Sequence, residues 1–156
     1  MRIKCLWIGG IRDPAFAGLE MEYTQRIQRF VPIEIVAVPE AKKGDPRRHA
    51  AQLGKEARLL ERKIGAKSYL VSLDEKGEEF TSEGFAGFFE EMMNRGSNEI
   101  TFLGGGHLGI PSALVDRSDL SLSLSRFTLP HELARVVLLE QIYRSFSIIR
   151  SLPYHR

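Results

Sequence analysis

The chain has 156 residues, 43% hydrophobic and 27% charged, with a net charge of +2, which suits one globular domain and excludes wholesale disorder and collagen-like repeats. Its apolar runs, such as Val136 to Leu139, fall far short of the roughly 20 residues of a membrane span, and its single cysteine, Cys5, excludes an internal disulfide and any cysteine-based zinc site. A soluble protein of the reducing cytoplasm is expected, without signal peptide, metal or membrane partner, and with too small a charge excess to hold naked nucleic acid by counterion release alone.

In chain order, Arg2 to Ile8 predicts a strand from its β-branched content. Asp13 and Pro14 then open a helix whose Phe16, Leu19, Tyr23, Ile27 and Phe30 share one face. A strand follows at Ile33 to Val38, then a basic loop from Pro39 to Pro46 holding Lys42, Lys43 and Gly44, whose lysines form a positive cluster with Arg47, Arg48 and His49. Asp45 and Pro46 repeat the start signal ahead of Leu53, Ala57, Leu60 and Ile64, with Gly65 as the stop. Ser68 to Leu73 is a third strand, and a helix from near Ser82 carries Phe85, Phe88, Phe89, Met92 and Met93 up to Gly96. Asn98 to Leu103 is a fourth strand. The alternation predicts an α/β architecture with a largely parallel sheet covered on both faces, in one domain over residues 1–156.

The chemistry-bearing segments come late. Phe102 to Gly109 runs an apolar strand into four glycines within six positions, where backbone can turn tightly or approach a ligand. It lacks the Lys-Ser/Thr ending of a phosphate loop, and no dinucleotide fingerprint opens the first strand-helix turn, where Ile8-Gly9-Gly10 stands instead. Leu120 to Ser125 alternates leucine and serine, as a short edge strand does, and leads through Thr128 and Pro130 into a helix from about Pro130 to Arg150. That helix spreads Leu133, Val136 to Leu139, Ile142, Tyr143, Phe146 and Ile149 around nearly its whole circumference. Such a helix is either central or half covered by a second subunit, and a homodimer across it is expected. The chain closes on Tyr154, His155 and Arg156, residue types suited to stacking on a base and pairing with phosphate. His131-Glu132 does not continue into the zinc-protease pattern, and there is no nucleophile elbow.

Taken together, these segments resemble the small pseudouridine N3-methyltransferases of the large ribosomal subunit (RlmH) in the SPOUT superfamily. The residues that carry the likeness are Glu22-Tyr23 with Arg26, Leu73 to Gly77, the glycine loop, Ser123 to Ser125, Thr128 to His131, Leu139 to Arg144 and Pro153 to Arg156. The resemblance implies a SPOUT-type fold whose C-terminal part, about residues 98–156, is threaded into a deep trefoil knot, an exception to the avoidance of knots. It implies S-adenosylmethionine held by Leu73, Gly105, Leu124, Ser125, Arg126, Phe127, Thr128 and Leu129, and a homodimer. The implied substrate is a pseudouridine in helix 69 of 23S rRNA, methylated at N3 on the assembled ribosome. Tyr154 and His155 would shape the nucleotide pocket, His155 would act as base, and Arg144 and Arg156 would hold phosphate or the target base. The family usually carries isoleucine where Gly104 stands, and His107 is expected to be a loop substituent without a catalytic part. The rival expectation is a ribosome-associated RNA-binding factor that keeps the fold and has lost turnover.

Overall fold

The computed structural model describes residues 1–40, 47 and 49–155, the side chain of residue 155 excepted. Five strands alternate with helices: β1 (Arg2–Ile8), α1 (Pro14–Gln28), β2 (Ile33–Val38), α2 (His49–Glu61), β3 (Tyr69–Glu79), α3 (Ser82–Asn94), β4 (Glu99–Gly104), α4 (Ser112–Val115), β5 (Leu120–Ser123) and α5 (His131–Ile149), with a closing 3₁₀ turn at Pro153–His155. The strands form one sheet in the order β2-β1-β4-β3-β5, and every pairing is parallel. Parallel strands need crossover connections, which put helices on both faces. Ile3, Cys5 and Trp7 of β1 face a core shared with α1, α3 and α5, while Leu6 and Ile8 face a smaller one beneath α2 and α4. Cys5 is wholly buried, and that burial pushes its thiol far above the ordinary range, so it serves as packing.

The expected punctuation recurs. The Asp13 carboxylate accepts from the Ala15 amide at 2.8 Å to cap α1, and Thr81 Oγ1 accepts from the Gly84 amide at 3.0 Å to cap α3. Most of the basic loop, Lys42, Lys43, Gly44, Asp45 and Pro46 included, lies outside the described residues, as do Arg48 and Arg156.

The structure departs from the sequence reading at β3, adds one short helix and shows what covers α5. β3 does not end at Leu73: after Leu73 pairs with Leu122, residues 74–77 loop out and Glu78 returns to the same partner. That return is possible because Gly77 lies against the Ser121 backbone, where a Cβ would sit 2.5 Å from a carbonyl oxygen. α4, a single turn, was not expected. No side chain caps α5; the Thr128 hydroxyl ahead of it stands 3.5 Å from Glu75. Finally, α5 lies between α1 and α3 on the sheet, so most of its apolar circumference is covered within one chain. Val136, Leu138, Leu139, Ile142 and Phe146 are buried in this way.

Candidate functional site

In an open parallel sheet, ligands bind beyond the carboxyl ends of the strands, where connections diverge. Here that edge carries a cleft of about 410 Å³, within the range of small-molecule sites. Its walls come from Trp7 at the end of β1, Leu73 to Glu75 where β3 loops away from β5, Gly104, Gly105, Gly109 and Ile110 from the glycine loop, and Leu122 in β5. The β5–α5 segment adds Leu124, Ser125, Phe127, Thr128 and Leu129. Seven of the eight cofactor residues expected from sequence therefore meet around one cavity. The eighth, Arg126, turns away: its side chain is 87% exposed and its Nε donates to Glu79 at 2.9 Å.

Two local turns shape the walls. Ser125 Oγ accepts from the Phe127 amide at 2.9 Å, bending the chain so that Phe127 stands 83% exposed at the mouth. In the glycine loop, Gly106 and Gly109 bridge each other, Gly109 takes a φ of +78°, and a Cβ on Gly105 would lie 2.5 Å from the Gly109 carbonyl carbon. His107 braces the loop from outside. Its amide and its Nδ1 each lie 2.8 Å from Glu40 Oε1 at the end of β2. Burial alone would raise the Glu40 carboxyl, but the hydrogen bonds and charge of His107, with help from Arg12, outweigh it and hold the group below the usual carboxylate range.

Sequence reasoning passed over three contributors. Trp7 and Arg135 line the cleft, the Arg135 guanidinium standing 5.3 Å over the indole centroid while donating to the Ile8 and Gly9 carbonyls at 2.9 Å each. Glu132, one turn earlier on α5, accepts from the amides of Arg12 and Asp13 at 2.9 and 3.1 Å. Together they clamp the β1–α1 connection to the first turn of α5. An arginine set between the apolar residues Leu133, Ala134 and Val136 to Leu139 was the available signal.

Of the expected nucleotide-handling residues, Arg144 and Tyr154 form a separate group. Arg144 donates to Glu140 through Nη2 at 2.7 Å and Nε at 3.0 Å, and its guanidinium lies 5.0 Å from the Tyr154 ring centroid. The Tyr154 hydroxyl donates to Glu140 at 3.2 Å and lies 3.3 Å from that of Tyr23. Burial, the contact with Tyr23 and the Glu140 charge push Tyr154 far above the ordinary phenol range, so its hydroxyl keeps its proton. The Glu140 hydrogen bond outweighs burial and raises Arg144 further, fixing its charge. His155 follows in the same turn, its side chain outside the described residues. Arg144 is nine positions beyond Arg135, the last residue of α5 that lines the cleft; at 1.5 Å per residue it is about 14 Å away along the helix. One chain does not bring Arg144 or Tyr154 to its own cleft.

Among the described residues, no group of three or more histidine, cysteine or acidic side chains could hold a metal ion, and no helix is long and apolar enough to cross a membrane.

A family model described as "Predicted SPOUT methyltransferase" matches residues 1–155. The chain is 40% identical over 159 aligned positions to a protein of Limosilactobacillus fermentum named ribosomal RNA large subunit methyltransferase H, with all of both chains covered. It is 39% identical to one of the same name from Ruminiclostridium cellulolyticum, again over the full length of both. A crystal structure of a protein assigned to the methylase family from Neisseria gonorrhoeae superposes with a TM-score of 0.56 at 14% identity, covering 91% of this chain and 81% of the other, a likeness of fold.

Proposed function

The chain belongs to the SPOUT methyltransferase family, and from that premise we propose that it transfers the methyl group of S-adenosylmethionine to ribosomal RNA of the large subunit. The observation that carries this reading is the convergence of Leu73, Gly105, Leu124, Ser125, Phe127, Thr128 and Leu129 on one cleft at the carboxyl edge of the sheet. The fit to the cofactor is good in kind: apolar walls for a nucleoside, loop amides for its polar edges, and Asp74 and Glu75 as carboxylates for a cationic centre. We take residues 98–156, which supply the glycine loop, β5 and α5, as the knotted region of a single domain.

S-adenosylmethionine supplies a methyl carbon on a cationic sulfur, open to in-line displacement. The protein contributes alignment of the two reactants and removal of the acceptor's proton. We propose N3 of a pseudouridine in helix 69 of 23S rRNA as acceptor, on the assembled ribosome in the cytoplasm. Arg144 and Arg156 would hold phosphate or the base, and His155 would take the N3 proton. The raised Tyr154 supports its assignment to orientation, its hydroxyl donating to Glu140 rather than accepting a proton.

A homodimer completes the site in this reading. Leu133, Val137, Glu140, Gln141, Arg144 and Ile148 are only partly buried and fall at helical spacing along one face of α5. A second copy packed on that face would carry its own Arg144 and closing turn toward the first copy's cleft, covering the 14 Å or so that one chain leaves open.

The test is transfer of labelled methyl from S-adenosylmethionine to assembled ribosomes and to free 23S rRNA, both from cells lacking the endogenous enzyme. Label at one pseudouridine, on ribosomes in preference to free RNA, is expected. Label at another base would overturn the acceptor assignment. Cofactor binding without transfer to either substrate would move the target elsewhere, and absence of cofactor binding would favour a non-enzymatic ribosome factor.

A further inference from the structure

Trp7 is the only tryptophan in the chain, and it stands opposite Gly104 in the parallel register of β1 and β4. Residues so paired project from the same face of a sheet, so a side chain at 104 would compete with the indole for one volume. An ideal Cβ on Gly104 would lie 2.3 Å from Cε3 and 2.4 Å from Cζ3 of that ring, far inside the 3.5–4.0 Å or so of ordinary carbon contact. The indole therefore lies across β4, in the space that a side chain at 104 would need.

Its surroundings hold it there. The Arg135 guanidinium covers the ring and is itself tied to the carbonyls of Ile8 and Gly9. Trp7 is 1% exposed, and its indole lies against the Glu20 carboxyl, whose charged form it favours against burial. Trp7, Gly104 and Arg135 all border the cleft.

We infer that Trp7 is a positioning residue for the cofactor. Admitted by the missing side chain of Gly104 and clamped by Arg135, the indole is the rigid wall that sets the depth of the cleft. The inference rests on the reading that this cleft takes S-adenosylmethionine. It makes Gly104 and Trp7 a matched pair: neither can be changed alone without disturbing the site, and a small residue at 7 tolerates a larger one at 104.

The experiment uses the full chain and four variants, Trp7→Ala, Gly104→Val, the double variant and Trp7→Phe. Thermal unfolding is followed without cofactor, S-adenosylmethionine and S-adenosylhomocysteine binding by calorimetry, and wild-type tryptophan fluorescence on adding either compound. Gly104→Val alone should lower Tm by about 5 °C through overpacking, and that loss should vanish when Trp7→Ala is present. Trp7→Ala should weaken cofactor binding about tenfold or more, Trp7→Phe should restore most of it, and the wild-type fluorescence should change on binding.

Additive Tm effects in the double variant would refute the shared volume. Binding by Trp7→Ala within about twofold of wild type, with silent wild-type fluorescence, would refute the positioning role. If the wild type binds neither compound, the cofactor reading fails first and this inference with it.

Discussion

Substituting alanine for Gly105 tests whether the glycine loop is built by close approach of its own backbone. A Cβ at that position would meet the Gly109 carbonyl carbon at 2.5 Å, the Ile110 nitrogen at 2.8 Å and the Gly109 Cα at 2.9 Å. These are backbone atoms, and the Gly109 amide donates to the Gly106 carbonyl at 3.0 Å, so none can swing aside as a side-chain end would. Restoring ordinary contact requires the two limbs of the loop to part by about 1 Å. If the fold absorbs this as overpacking, the cost is about 1–3 kcal/mol, which in a chain of this size lowers Tm by about 2–12 °C. If the loop yields instead, the cleft bordered by Gly105, Gly109 and Ile110 opens by a similar distance, and a misplacement of about 1 Å can cost on the order of a hundredfold in rate. Gly87→Ala is the control, since Gly87 lies in α3 with open space around it and alanine there should stabilise by about 0.5–1 kcal/mol. Calorimetric unfolding and cofactor titration report both routes. A Gly105→Ala protein with wild-type Tm and wild-type cofactor affinity would refute the reasoning.

Other consequences are open to measurement. Glu132→Ala removes the acceptor of the Arg12 and Asp13 amides and should lower stability by about 1–2 kcal/mol in chemical denaturation; an unchanged midpoint would mean that solvent replaces the clamp at no cost. Glu99 is buried, yet its hydrogen bond from Arg2 and the Lys4 charge outweigh that burial and hold its pKa down, so its contribution is present above the ordinary carboxylate range and lost as pH falls through the depressed value. Glu20 is shifted the opposite way, by desolvation against the pull of Arg135, and its contribution is present at low pH and lost as pH rises through the raised value. Glu99→Gln should therefore flatten the acid limb of the stability curve and Glu20→Gln the limb above it, and the reverse pattern in urea unfolding across pH would contradict both environments. Co-expressing a cleft-blocked Leu124→Arg chain with an Arg144→Ala chain should recover about one quarter of wild-type transfer, because random pairing makes half the dimers mixed and each mixed dimer keeps one intact site; no recovery would argue for sites contained in single chains.

What the sequence disclosed depended on whether the signal was local. β1 and β2 are bounded by turn residues and rich in β-branched side chains, and their ends match the expected ones. The continuation of β3 was not legible because Glu78 and Glu79 pair with β5 only after a four-residue excursion, and two charged residues after a glycine carry no strand period. α4 is shorter than two turns, below the length at which a helical period can be seen. The cofactor segment at Leu124 to Leu129 was legible as a run of neighbours, whereas Trp7 and Arg135 reach the cleft from elements over 120 residues apart. The stripe predicted on α1 is only partly used, Ile27 being buried and Leu19 standing 37% exposed.

The direction of α5 ties these observations to the proposed chemistry. The helix starts at the carboxyl edge of the sheet, where His131, Ala134 and Arg135 border the cleft. It ends at the opposite edge, where Phe146, Ile149 and Arg150 surround a second cavity with Met1 and Asn98. Its first turn is committed to the β1–α1 connection through Glu132 and Arg135, and its later turns hold Tyr154 through Glu140. Both ends are pinned, so shortening the distance within one chain would break one set of contacts or the other. In the proposed dimer, two copies related by a twofold axis across α5 put each closing turn beside the other's cleft without breaking either. RNA would then meet residues of both chains at each of two equivalent sites, and a modest net charge of +2 per chain would suffice where recognition depends on the shape of a folded RNA surface.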